Sequence, residues 1–196
     1  MATQSQINSF ISTLGALAQQ VARERIAENK GFVLPSVCIA QAAIETGYGT
    51  SSLMTKANAY FGIKAGSSWN GKVYSSYTGE VYGGVNVTTY ATFRAYDSLL
   101  DSVRDYFDLI TESSRYSEGV SRYPDGVLTP RATIQAIWSG GYATDPQYVT
   151  KIMSIIDSRG LTSYDNMWDG STPTFNDNEE IEIDTTTDLY KFVRLE

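Results

Sequence analysis

Apolar positions in the first part of the chain recur at helical spacing. Ile7, Phe10, Ile11, Leu14, Leu17, Ala18 and Val21 fall on one face, which predicts an amphipathic helix over about 5–29. Thr3 with Gln6 has the form of a capping box, and Gly31 is the expected stop. A second helix is expected from Pro35, a residue suited to a first turn. Its run Ser36-Val37-Cys38-Ile39-Ala40-Gln41-Ala42-Ala43-Ile44-Glu45 is apolar nearly all round, the pattern of a buried helix, and Gly47 and Gly49 end it. A short helix is expected over about 50–56.

The period changes over 66–93, a stretch rich in Tyr, Val, Thr and Gly with partial alternation. Gly83-Gly84 between Glu80-Val81-Tyr82 and Val85-Asn86-Val87 reads as the turn of a β-hairpin. Helical spacing then returns. Ser98 caps a helix carrying Leu99, Leu100, Val103, Tyr106, Phe107 and Ile110. Thr129-Pro130 opens another through Ile134, Ile137 and Trp138. Asp145-Pro146 opens the last, with Val149, Ile152, Met153 and Ile156 on one face and Gly160 as its stop. The pattern defines an α+β, mainly helical domain over 1–164, with a β-hairpin inserted after the third helix. Residues 165–196 read as an acidic C-terminal tail or linker.

Composition narrows the chemistry mainly by exclusion. The chain has no histidine, which removes His-ligated zinc hydrolases, Ser-His-Asp hydrolases and Cys-His peptidases. The single cysteine, Cys38, lies in an apolar run and reads as core. No phosphate-binding or dinucleotide glycine loop is present. The net charge of −7 sits in the tail: 165–196 hold nine acids and two bases, and 1–164 hold thirteen of each. No basic patch interleaved with aromatics stands out, so nucleic acid is not an expected partner. No apolar run is long enough to span a membrane, and 1–9 lack the features of a signal peptide. The 14 tyrosines and 3 tryptophans suit sugar contacts, although packing accounts for them equally. Catalysis without a cofactor would fall to carboxylates and tyrosines.

Glu45 is the unusual carboxylate. It ends an otherwise apolar helix, where burial and the negative end of the helix dipole both favour its protonated form. A carboxyl that keeps its proton near neutral pH is what protonation of a glycosidic oxygen requires. The bland alternative is a glutamate that reaches solvent from a frayed helix end. Glycoside hydrolysis usually needs a second carboxylate, or a substrate acetamido group in its place. Glu80 is the sole acid between Glu45 and Asp97, and by position alone a solvated turn residue describes it as well.

Four blocks together resemble glycoside hydrolase family 73, the bacterial and phage endo-β-N-acetylglucosaminidases. The first is Ala40-Gln41-Ala42-Ala43-Ile44-Glu45-Thr46-Gly47-Tyr48-Gly49-Thr50-Ser51, similar to the end of the family's catalytic helix. Asn58-Ala59-Tyr60-Phe61-Gly62-Ile63-Lys64, Phe93-Arg94-Ala95-Tyr96-Asp97-Ser98 and Gly141-Tyr142-Ala143-Thr144-Asp145-Pro146-Gln147-Tyr148 follow in the family's order. In the second block Ala59-Tyr60 stands where the family has a single Leu.

The resemblance implies a lysozyme-like domain that cuts the β-1,4 bond between N-acetylglucosamine and N-acetylmuramic acid in peptidoglycan. It implies Glu45 as general acid, Glu80 in the region of the hairpin acid, and Tyr142 as a groove tyrosine that steadies the reacting sugar. Asn58, Phe61 and Tyr148 match positions near the groove floor, where substrate-binding and structural roles are both open. Arg94 and Tyr96 are read as structural. The rival readings are a lytic transglycosylase or muramidase of similar fold, and a non-catalytic wall-binding or tail-piercing module. The resemblance also implies that no metal and no cofactor is required, and the expected partner is the peptidoglycan glycan strand, met by a monomer without membrane insertion. The expected setting is a phage endolysin released from the host cytoplasm, with a tail lysin or a domain of a larger secreted autolysin as alternatives.

Overall fold

The computed structural model describes residues 2–82, 85–124 and 126–167. Its elements run in the order α1 (Gln4–Ala27), α2 (Pro35–Thr46), α3 (Ser52–Ala57), β1 (Val73–Tyr82), β2 (Val85–Arg94), α4 (Leu99–Glu112), α5 (Pro130–Ser139) and α6 (Tyr148–Arg159). Two 3-10 turns, Ser114–Gly119 and Leu161–Asp165, complete it. The helical body and the inserted antiparallel pair are those the residue pattern predicts. Gly83 and Gly84, expected to form the turn, lie outside the described residues, as does the chain from 168 onward.

Local chemistry accounts for the helix ends. Thr3 accepts from the Gln6 backbone N–H while the Gln6 side chain accepts from that of Thr3, so two orphan donors of α1 are satisfied reciprocally. α1 stops before Gly31. Asn29 takes the left-handed conformation at φ 55°, which Asn tolerates, and the chain leaves the helix there. Gly31 serves a different need: a Cβ on it would lie 2.3 Å from Cγ1 of Val120. The third helix also starts later than its pattern suggests, because the Thr50 and Ser51 N–H groups bond back to the Thr46 carbonyl. Ser51 then caps Met54. α6 begins at Tyr148 rather than at Pro146, since Asp145 accepts from the Gln147 N–H in a turn that precedes the helix. Ser98 and Thr129 cap α4 and α5, and Gly160 ends α6 in the left-handed conformation.

The centre of the body is α2. From Pro35 to Ala43 every residue is buried, and the helix packs against α1, α5, α6 and the closing 3-10 turn. Val37, Cys38 and Ile39 are fully enclosed together with Leu14, Ile110, Ile137, Ile152 and Ile156. Each such aliphatic side chain contributes about 1.5–3 kcal/mol on leaving water. An aromatic seam lines one side, where Phe61 stacks on Tyr106 at 4.0 Å between ring centroids and Tyr60 meets Phe10 edge-on at 5.7 Å.

The two strands pair in register from Val73↔Arg94 to Tyr82↔Val85. Their root is tied down in several ways. Arg94 donates to Oδ1 of Asp105 on α4 at 2.7 Å, and the Tyr96 hydroxyl donates to Oδ2 of the same carboxylate at 2.6 Å. The Arg94 guanidinium also lies over the Trp69 ring, 4.6 Å from its centroid. Farther along, Tyr77 and Tyr90 pair across the strands edge-to-face while remaining largely exposed.

Candidate active site

The end of α2 is held by a compact set of bonds. Gly47 is left-handed at φ 58°, and its N–H reaches the Ala43 carbonyl. The Thr46 hydroxyl donates to the Ala42 carbonyl at 2.7 Å and accepts from the Gly49 N–H at 2.8 Å. These bonds satisfy the helix terminus without a cation, which leaves the dipole's negative end beside Glu45. Glu45 is partly buried in this last turn. Burial pushes its carboxyl above the ordinary value of 4.5, and a hydrogen bond from the Tyr148 hydroxyl opposes that rise. Loss of hydration outweighs the hydrogen bond, so the carboxyl holds its proton more tightly than a free glutamate does.

Two tyrosines from other elements, Tyr148 and Tyr142, face this carboxyl, and a third, Tyr106, stands behind them. Tyr148, at the start of α6, is 3% exposed and donates to Oε1 of Glu45 at 3.2 Å. Behind it, Gln41 Nε2 donates to the Tyr148 hydroxyl at 3.1 Å, and the Tyr106 hydroxyl donates to Gln41 Oε1 at 2.5 Å. Tyr142, from the segment between α5 and α6, donates to the Phe61 carbonyl at 3.3 Å, its ring centroid 6.3 Å from that of Tyr148. Burial raises the hydroxyl pKa of Tyr106, Tyr142 and Tyr148 alike, so all three stay neutral donors at any working pH. On the other side Gly62 holds a left-handed φ of 56°, and a methyl group there would lie 3.7 Å from Oε2 of Glu45.

The structure thus brings together Glu45, Tyr142, Tyr148 and Phe61. Phe61 is buried and contributes its carbonyl and its stacking on Tyr106. Asn58 lies elsewhere in the network: it caps α3 in a left-handed conformation and donates to the Tyr96 and Asp97 carbonyls at 3.1 and 3.3 Å. That geometry is structural, joining α3 to the root of the hairpin. Glu80 lies in β1, where it pairs with Val87. The sequence reading overlooked the part played by Gln41, although a polar residue four places before Glu45 in an otherwise apolar helix was a readable signal. Tyr106 carried no comparable mark.

A mainly helical body with a two-stranded insert is the architecture of lysozyme-like peptidoglycan hydrolase domains. The chain belongs to the Glucosaminidase family, described as mannosyl-glycoprotein endo-beta-N-acetylglucosaminidase, whose profile matches residues 21–161. Among its relatives, the peptidoglycan hydrolase FlgJ of Pseudomonas aeruginosa is 34% identical over 170 residues, which are 85% of this chain and 40% of that protein. The exo-glucosaminidase LytG of Bacillus subtilis is 31% identical over 158 residues, 81% of this chain and 53% of that one. The chain therefore spans about half the length, or less, of these curated relatives. A crystal structure of a peptidoglycan hydrolase mutant from Sphingomonas sp. A1 superposes with a TM-score of 0.66 at 34% identity, covering 79% of this chain and 96% of that one.

Proposed function

We propose that this chain hydrolyses the β-1,4 bond between N-acetylglucosamine and N-acetylmuramic acid in the glycan strands of bacterial peptidoglycan. The observation that carries the proposal is the position of Glu45, a carboxyl whose pKa burial raises at the end of α2, within the span that matches the family. Glu45 is the general acid, delivering its proton to the leaving glycosidic oxygen. The oxocarbenium-like centre is met by water activated by Glu80, or by the substrate's own 2-acetamido oxygen. Tyr142 steadies the sugar at the reacting position. Phe61 and Tyr148 support the site from beneath, and Asn58 acts through the fold.

The catalytic unit in this proposal is 1–164, followed by an acidic appendage whose first residue, Asp165, is still fastened to α2. It acts as a monomer on the cell wall, in the manner of a phage endolysin. The low net charge of the body and the single buried cysteine support a small domain that folds without disulfides.

The test is digestion of purified peptidoglycan by wild type, Glu45→Gln, Glu80→Gln and Tyr142→Phe, with released fragments reduced and identified by mass spectrometry. Reduced N-acetylglucosamine ends from wild type and none from Glu45→Gln are expected, with a loss of at least about a hundredfold for the acid. Muramic acid ends would transfer the reaction to a muramidase, and 1,6-anhydro ends to a transglycosylase. Wall binding without sugar release would remove the enzyme reading.

A further inference from the structure

Gln41 is a fully buried amide in a helix whose other buried residues are mostly apolar. A buried amide persists where its hydrogen bonds are made. The bonds of Gln41 come from two other helices and run in one direction. Tyr106 of α4 donates to its Oε1, which turns its Nε2 toward α6, where it donates to the Tyr148 hydroxyl. A phenol has a single proton. Having accepted from Gln41, Tyr148 directs that proton to Oε1 of Glu45. Gln41 and Glu45 are four residues apart and share a helix face, so the chain of bonds leaves α2 and returns to it one turn later.

A carboxyl whose Oε1 already receives a hydroxyl proton carries its own proton on Oε2. In this structure Oε2 is the oxygen near Gly62, where there is no side chain. We infer that Gln41 is a positioning residue for the acid: backed by Tyr106, it holds Tyr148 as a one-way donor to Oε1 of Glu45, so that the transferable proton sits on Oε2 beside Gly62. The same donor then supports the carboxylate that remains when the proton has left. This inference rests on the assignment of Glu45 as general acid. Among the described residues, the titratable groups coupled to Glu45 are Tyr148 of α6 and Tyr142 of the segment before it. Cys38 and Tyr116 face Tyr106 at the far end of the relay.

The test reads the carboxyl directly, apart from activity. The full chain is labelled with carbon-13 at its glutamate side-chain carboxyls, and the Glu45 signal is identified by its absence in Glu45→Gln. Its titration is followed by NMR in wild type, Gln41→Met, Tyr148→Phe and the double variant. Both single variants are expected to raise the midpoint by about one pH unit, because a donor that favours the charged form is removed or set free to turn away. The double variant is expected to rise no further than Tyr148→Phe, since Gln41 acts through Tyr148. Tyr106→Phe, which removes one oxygen, is expected to shift the midpoint the same way and serves if Gln41→Met does not fold. An unchanged midpoint in folded Gln41→Met or Tyr106→Phe overturns the relay, as do shifts that simply add in the double variant. The expected shifts in a chain that releases no sugar would support the relay and remove the proposed function.

Discussion

Asp165 sits across the N-terminus of α2 with both carboxylate oxygens on Ser36: Oδ1 accepts from the backbone N–H at 2.8 Å and Oδ2 from the hydroxyl at 2.7 Å. Leu34, in the N-cap position of that helix, makes no side-chain cap bond. The central helix is thus capped by a residue 129 positions away, and the closing turn of the chain is fastened to the helix that carries Glu45 at its other end. Asp165→Ala is expected to lower stability by about 1–2 kcal/mol. Asp165→Asn, which keeps an acceptor for the backbone N–H, should lose less. Thermal melts of both variants check this, and an unaltered melting temperature in Asp165→Ala would contradict the cap.

Glu45 should weaken the fold at neutral pH. Burial raises its folded pKa above the ordinary 4.5, so the native state holds the proton more tightly than the unfolded chain does. Its contribution to stability is fully present below the unfolded value and is lost as pH rises through the folded one. Glu45→Gln is therefore expected to melt higher than wild type at neutral pH, with the advantage shrinking toward pH 4. A difference that is constant between pH 4 and 8 would mean that the carboxyl is not held protonated by the fold.

Gly62 is expected to resist substitution because of its backbone, and a side chain there would stand beside the acid. Its φ of 56° disfavours an L-residue by about 1–2 kcal/mol. A methyl group there would also stand 3.7 Å from Oε2 of Glu45. Gly62→Ala should lower the melting temperature by roughly 2–8 °C. It should also reduce wall lysis by more than tenfold under conditions where the variant remains folded. Full activity in folded Gly62→Ala would show that substrate does not approach the acid from that side.

Much of this organisation was legible in the residue pattern, for identifiable reasons. The helices of the body announce themselves because each buries one stripe, or in α2 nearly every face, and the starts of α1, α4 and α5 carry side chains that satisfy orphan N–H groups: Thr3, Ser98 and Thr129. Glu45 stood out as a carboxyl at the end of an apolar run, and the structure finds it partly buried there. Stop signals were less readable where two residues share one job. Asn29 turns the chain while Gly31 makes room for Val120, and a sequence shows both without saying which does which. The bonds that Gln41 makes and the Asp165 cap were hidden for a different reason, although the polar residue in an apolar helix was itself a readable sign. Their partners lie 65 to 129 residues away, so spacing along the chain holds no trace of them.

The clamp at Asp105 also has a mechanical consequence. Ten residues of strand at about 3.3 Å each make an arm of roughly 30 Å. The arm is fastened at one end by Arg94, Tyr96 and the Trp69 ring. On a lever of that length, a rotation of about 10° at the fulcrum would carry the far end by about 5 Å, more than the spacing between paired strands. The swing of the arm is therefore restrained at its root, where the Asp105 carboxylate of α4 holds both Arg94 and Tyr96 and the backbone of 63–65 bonds to β2.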